Sequence, residues 1–103
     1  MEYLYFVYII SNSHRSVFYT GVTNNMSNRI RQHETGQIQG FSKKYNCTDL
    51  LYYEKYVYVY EAIAREKQIK KYSNKKKRAL IESSNIKYER LNEKVYSVDK
   101  EQL

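Results

Sequence analysis

A chain of 103 residues, 42% of them hydrophobic, has material for one domain and one modest core. It has 13 tyrosines, one cysteine and neither tryptophan nor proline, so much of that core must be amphipathic. Internal disulfides and thiolate zinc sites are excluded, a cytoplasmic, reducing setting is the default expectation, and no apolar run approaches the roughly eighteen residues of a membrane span. The net charge of +7 is concentrated. Arg65, Lys67, Lys70, Lys71, Lys75, Lys76, Lys77 and Arg78 face the single acid Glu66 across one segment, and the remainder is neutral.

In chain order, Tyr3 to Ile10 is continuously apolar or aromatic and predicts a strand buried on both faces. It has neither the basic leader nor the cleavage site of a signal peptide. Ser11 to Ser16 suits a turn, and Val17 to Val22 predicts a second strand paired with the first as a hairpin. Gly21 near its end points to a bulge or a close backbone approach. Thr23 or Asn24 is the expected N-cap of a helix reaching Glu34 or Thr35, with Met26 and Ile30 on its apolar side and Gly36 as its stop. Gln37 to Asn46 is expected to be a loop, Thr48 to Tyr58 a third strand, and Val59 to Lys71 or Tyr72 a second helix. Lys75 to Ser83 predicts a further helix and the polar tail from Lys94 is expected to fray. The order β-β-α-β-α-α predicts an α+β fold, a small three-stranded antiparallel sheet flanked by helices. One domain is expected over residues 1–93, followed by a tail over 94–103.

Several residues in this frame are equipped for chemistry. Glu66 has Ala62, Ile63 and Ile69 at i−4, i−3 and i+3, which puts a carboxylate on the apolar side of its helix. That position is unfavourable unless the group is paired, protonated or bound to a cation. A salt bridge to Arg29 and a hard divalent ion both satisfy it. Arg29 and His33 lie i,i+4 on one helix face, suited to phosphate binding and proton transfer respectively. The same spacing fits an exposed basic helix. Tyr8 and Tyr19, two among thirteen, need no functional explanation on strands.

The segments Val7-Tyr8-Ile9 and Tyr19-Thr20-Gly21, followed by Arg29, His33 and Glu66, resemble the GIY-YIG nuclease family. The likeness is greatest to its small single-domain members, related to the nuclease domain of the excision-repair nuclease subunit, and runs from about Tyr5 to Leu91. The resemblance implies a metal-dependent phosphodiesterase. Glu66 would hold one Mg²⁺ or Mn²⁺ ion, Arg29 the phosphate, Tyr8 or His33 would activate water, and Tyr19 would position water or phosphate. Two features depart from the pattern. Val22 stands where many larger members carry a lysine, so His33 would have to cover its role. The family's downstream asparagine is matched by Asn85, with Asn74 as the nearer alternative.

The expected partner is nucleic acid, DNA before RNA, contacted by Lys43, Lys44, Lys67, Lys70, Lys71 and Lys75. A helper protein or a homo-oligomer could add specificity. In Gly40-Phe41-Ser42-Lys43-Lys44-Tyr45, lysines beside aromatics suit phosphate holding and base stacking. Aromatics that pin the loop to the core are the competing reading. The basic block by itself fits a solvated helix face as well as it fits a polyanion; a non-catalytic nucleic-acid-binding module and a surface for acidic proteins are the competing readings.

Overall fold

Tyr5–Ser11 (β1), the most apolar segment, takes the middle of the sheet. A computed structural model describes residues 4–96. In it, β1 pairs antiparallel with Phe18–Thr23 (β2) on one edge and with Asp49–Tyr56 (β3) on the other, in the order β2-β1-β3. With both edges and both faces covered, every residue from Val7 to Ser11 is buried. The hairpin register sets Tyr8 opposite Gly21 and Ile10 opposite Tyr19. On β3 the register slips between Ile9, paired with Tyr52, and Ile10, paired with Leu50. The extra residue, Leu51, turns to the same side as Tyr52 and packs with it, as a bulge allows.

The helices are Met26–Glu34 (α1), Phe41–Lys44 (α2), Val59–Lys70 (α3) and Asn74–Glu82 (α4). On one side of the sheet Val7, Ile9, Phe18, Leu51 and Tyr52 pack with Ala62 and Ile69 of α3 and Ile81 of α4. A second cluster joins Tyr8, Ile10 and Leu50 to Met26 and Ile30 of α1, Cys47 and Val95. Among the described residues no helix is long and apolar enough to cross a membrane.

Four boundaries differ from the sequence reading. Helix α1 is capped by Asn25, whose side chain accepts from the Asn28 amide. Thr23 ends β2 instead, with its hydroxyl accepting from Asn25 N. The expected loop 37–46 contains α2, a helix too short to show a period, set off by Gly40 at φ +100° and Asn46 at φ +56°. Strand β3 stops at Tyr56, and Tyr58 becomes the N-cap of α3. The expected tail starts inside order: residues 92–96 are helical and Val95 is buried. Tyr3 of the predicted first strand and residues 97–103 of the predicted tail lie outside the described residues.

Two tyrosines of β3 share one carboxylate as their hydroxyl partner. Tyr52 and Tyr56 hydroxyls both donate to Glu54, Tyr56 at 2.6 Å. The Arg65 guanidinium donates to both oxygens of the same carboxylate at 2.9 Å. That network holds the Glu54 carboxyl below its ordinary range, although burial works against it.

Candidate active site

Ile30 and His33 are three residues apart on α1, so the buried stripe that seats Ile30 also turns the imidazole inward. There the Tyr8 hydroxyl and His33 Nε2 are 2.9 Å apart, and His33 Nδ1 is 3.1 Å from Ser42 Oγ on α2. All three residues are buried. Room for the phenol comes from the neighbouring strand. A Cβ on Gly21 would lie 2.3 Å from Tyr8 Oη and 2.4 Å from Cζ, so the glycine of the second motif is needed for a close approach.

Burial, then the charge of Arg29, lowers the His33 pKa from 6.5 to about 4. Burial chiefly, then Tyr19, pushes the Tyr8 phenol well above its ordinary range; Arg29 opposes this and Glu66 adds to it. At neutral pH the phenol is therefore protonated and the imidazole neutral. Hydroxyls both donate and accept, so Tyr8 and Ser42 satisfy either neutral tautomer of His33: Tyr8 O–H to Nε2 with Nδ1–H to Ser42 Oγ, or Nε2–H to Tyr8 Oη with Ser42 O–H to Nδ1.

Tyr19, Arg29 and Glu66 close around this pair. The Tyr19 ring centroid lies 6.5 Å from Tyr8 and 5.4 Å from His33. Arg29 is half-buried one turn before His33 and, among the described residues, makes no ion pair. The Glu66 side chain, 14% exposed, pairs at 3.1 Å with Lys70, one turn along α3. The Glu66–Arg29 salt bridge weighed from sequence is thus replaced by a local i,i+4 pair, which leaves Arg29 available for an anion. Among the described residues there is no group of three or more His, Cys, Asp or Glu side chains that could hold a metal. The single, largely sheltered carboxylate of Glu66 fits a hard cation whose remaining ligands are water and phosphate oxygens, and it does not fit a closed protein cage.

Asn85 does not join this cluster through hydrogen bonds. Its amide donates to Leu51 O at 3.0 Å and to Glu89 O at 2.8 Å, and its carbonyl accepts from Glu89 N at 3.0 Å. Both amide protons are committed, so the side chain braces the 85–89 turn against β3 and has none left to donate to a substrate. Asn74 opens α4 and is exposed.

The six lysines expected at the nucleic acid are all exposed, but they do not share one face. Lys70 sits over the Tyr19 ring at 6.0 Å. Lys67 and Lys71 stand about 140° and 180° around α3 from the buried Ala62, away from the sheet. Two members of the basic block turn inward. Arg65 binds Glu54, and Arg78 donates to Arg15 O at 2.6 Å and stacks on Phe18. Three contributors escaped the sequence reading. Ser42 orients His33 across nine positions, a contact with no local signal. Glu54 captures Arg65 from the neighbouring strand. Lys77 is half-buried, and burial with nearby Lys70 lowers its pKa.

The profile of the GIY-YIG catalytic domain matches residues 4–79. The chain belongs to the GIY-YIG family. Relatives include the UPF0213 protein of Oceanobacillus iheyensis, 34% identical over 82 residues, covering 80% of this chain and 94% of that protein. A UPF0213 protein of Staphylococcus aureus is 38% identical over 77 residues, 75% of this chain and 93% of its own. The solution structure of a UPF0213 protein from Bacillus halodurans superposes with a TM-score of 0.54 at 26% identity, over 82% of this chain and 89% of the other. The chain therefore has the nuclease fold of the small single-domain GIY-YIG proteins, and Tyr8, Tyr19, Arg29, His33 and Glu66 all fall inside the matched segment.

Proposed function

We propose that this GIY-YIG protein is a divalent-metal-dependent endonuclease that hydrolyses phosphodiester bonds in nucleic acid, DNA in the first instance, with Mg²⁺ or Mn²⁺. The reading is carried by the buried Tyr8–His33 hydrogen bond, which Tyr19, Arg29 and Glu66 surround. A bound cation on Glu66 would supply charge stabilisation at the phosphoryl group and the departing sugar oxygen. The chain's own groups account for the rest. Arg29 takes the non-bridging phosphate oxygens, and Tyr19 holds the water or phosphate in line. Tyr8 removes a proton from the attacking water while passing its own to His33 Nε2. This relay answers the difficulty of a phenol held protonated by burial, because no free phenolate has to accumulate. Ser42 accepts from Nδ1–H in the tautomer that leaves Nε2 open to the phenol. Asn85 supports the fold around β3 and takes no part in the chemistry.

A non-catalytic binding module is favoured by one observation, the Lys70 ammonium that neutralises Glu66. The test sets wild type and Glu66→Ala against labelled duplex, single-stranded and branched DNA and against RNA, in Mg²⁺, Mn²⁺ and EDTA. The nuclease reading expects cleavage that requires metal and falls at least about a hundredfold in the variant, the scale of several kcal/mol of charge stabilisation. Tight, metal-independent binding without cleavage, with a log K against log salt slope of about −4 to −5, would establish the module instead.

A further inference from the structure

We propose that α2 carries a stacking subsite for an unpaired nucleobase beside the scissile phosphate, formed by Phe41 and Tyr45 and flanked by Lys43 and Lys44. The substrate is then a strand with an unpaired nucleotide at the point of cleavage. The proposal rests on the nuclease reading for its placement beside a scissile bond.

Two roles were open for the aromatics of this segment, pinning α2 to the core or presenting a face to a ligand. Burial separates them. Ser42, between the two aromatics in sequence, is 3% exposed and hydrogen-bonds His33, so the serine pins the helix. Phe41 is 50% exposed and Tyr45 41%. Both rings stay outside the core clusters, and their contacts with Tyr19 and with each other leave about half of Phe41 open to solvent beside a polar site.

Their arrangement points to bases. The Phe41 ring lies at 24° to Tyr19, centroids 6.5 Å apart, and Tyr45 follows at 4.7 Å from Phe41. Aromatic surface therefore runs outward from a ring in contact distance of His33 to solvent. Lys44 Nζ lies over the Tyr45 ring, 5.4 Å from its centroid, an exposed cation that covers one face of Tyr45 and is placed to meet the phosphate of a nucleotide stacked on Phe41. The platform is held before any ligand arrives. Lys44 N donates to Gly40 O, Tyr45 N to Phe41 O and Cys47 N to Ser42 O, at 2.8 to 3.1 Å. In an intact duplex both faces of an internal base are covered by neighbours. A free π face is offered only by a single strand, a flap, a loop or an extruded nucleotide.

The chain contains no tryptophan, so Phe41→Trp installs a single indole reporter on the platform. Its fluorescence is titrated in EDTA with a short single-stranded DNA, the matching duplex, an abasic strand of equal length, and the RNA equivalent. In parallel, Phe41→Ala is compared with wild type for binding the single strand and the duplex, after circular dichroism and a melting curve establish its folding. The expected result is quenching by single-stranded DNA and RNA, and none by the abasic strand. Phe41→Ala should lose about tenfold in affinity for the single strand, within the range of one stacked base, and less than about twofold for duplex. Absence of quenching by any single strand, or equal losses on single strand and duplex, would overturn the subsite. The two readings fail separately. Quenching without cleavage in any metal retires the nuclease and keeps the platform; cleavage that needs Glu66 and ignores Phe41 retires the platform alone.

Discussion

The contact between Gly21 and Tyr8 gives the site its clearest mechanical test. Gly21→Ala adds one methyl group, placed 2.3 Å from Tyr8 Oη, 2.4 Å from Cζ and 2.9 Å from Cε1. The ring is fully buried on the central strand, so it can yield only by leaving its rotamer or parting the strands. Overpacking of this kind costs about 1–3 kcal/mol, and displacing the phenol also breaks the buried hydrogen bond to His33, worth about 0.5–1.5 kcal/mol. Gly21 is not among the positive-φ residues, so its backbone accepts alanine, and the reduced freedom of the unfolded chain offsets the total by about 0.4–1 kcal/mol. The expected net loss is about 2–3 kcal/mol, or roughly 10–20 °C in Tm for a domain of this size. Urea denaturation of wild type, Gly21→Ala, Tyr8→Leu and the double variant measures it as a cycle. Leucine ends short of the colliding atoms, so in the Tyr8→Leu background the added methyl should be nearly neutral. An equal cost of Gly21→Ala in both backgrounds would refute the steric account.

Two further outcomes follow from buried polar groups. His33 titrates at about 4 in the folded chain against 6.5 in its ordinary state, so the unfolded chain binds the proton more readily. Its stabilising contribution is complete above about pH 6.5 and is lost as pH falls toward 4, on the order of 3 kcal/mol. Stability against pH for wild type minus His33→Gln should show that fall; a flat difference would mean the imidazole titrates normally. Thr20 lies between the two motif residues Tyr19 and Gly21, is 2% exposed, and its hydroxyl has no hydrogen-bond partner among the described residues. Replacing it with the near-isosteric valine should raise stability by about 1 kcal/mol, read as a higher urea midpoint; a lower midpoint would reveal a bond that the hydroxyl makes.

Much of the frame was legible because it depends on short-range signals. The apolar run of β1, the turn residues after it and the period of α3 report strand, hairpin and helix without knowledge of the rest. Helix α2 was not legible, since four residues cannot display a period and its definition lies in two left-handed residues, Gly40 and Asn46. The surroundings of the asparagine were not legible for a different reason. A motif position says nothing about hydrogen-bond saturation, and Asn85 is saturated by the backbone of Leu51 and Glu89.

By itself the sequence determined which groups are present and along which elements they lie: two phenols on adjacent strands, a guanidinium and an imidazole one turn apart, a carboxylate on an apolar helix stripe. Those follow from periodicity and spacing, which are local. Tertiary structure alone decided which groups touch. It set Tyr8 against His33 across 25 positions, gave the other ring nitrogen of His33 a serine partner, assigned Glu66 to Lys70 and left Arg29 without a carboxylate partner among the described residues. Such choices depend on strand register and on how helices sit over the sheet. Both are fixed by the shape of the whole core, with a tolerance finer than the length of one hydrogen bond.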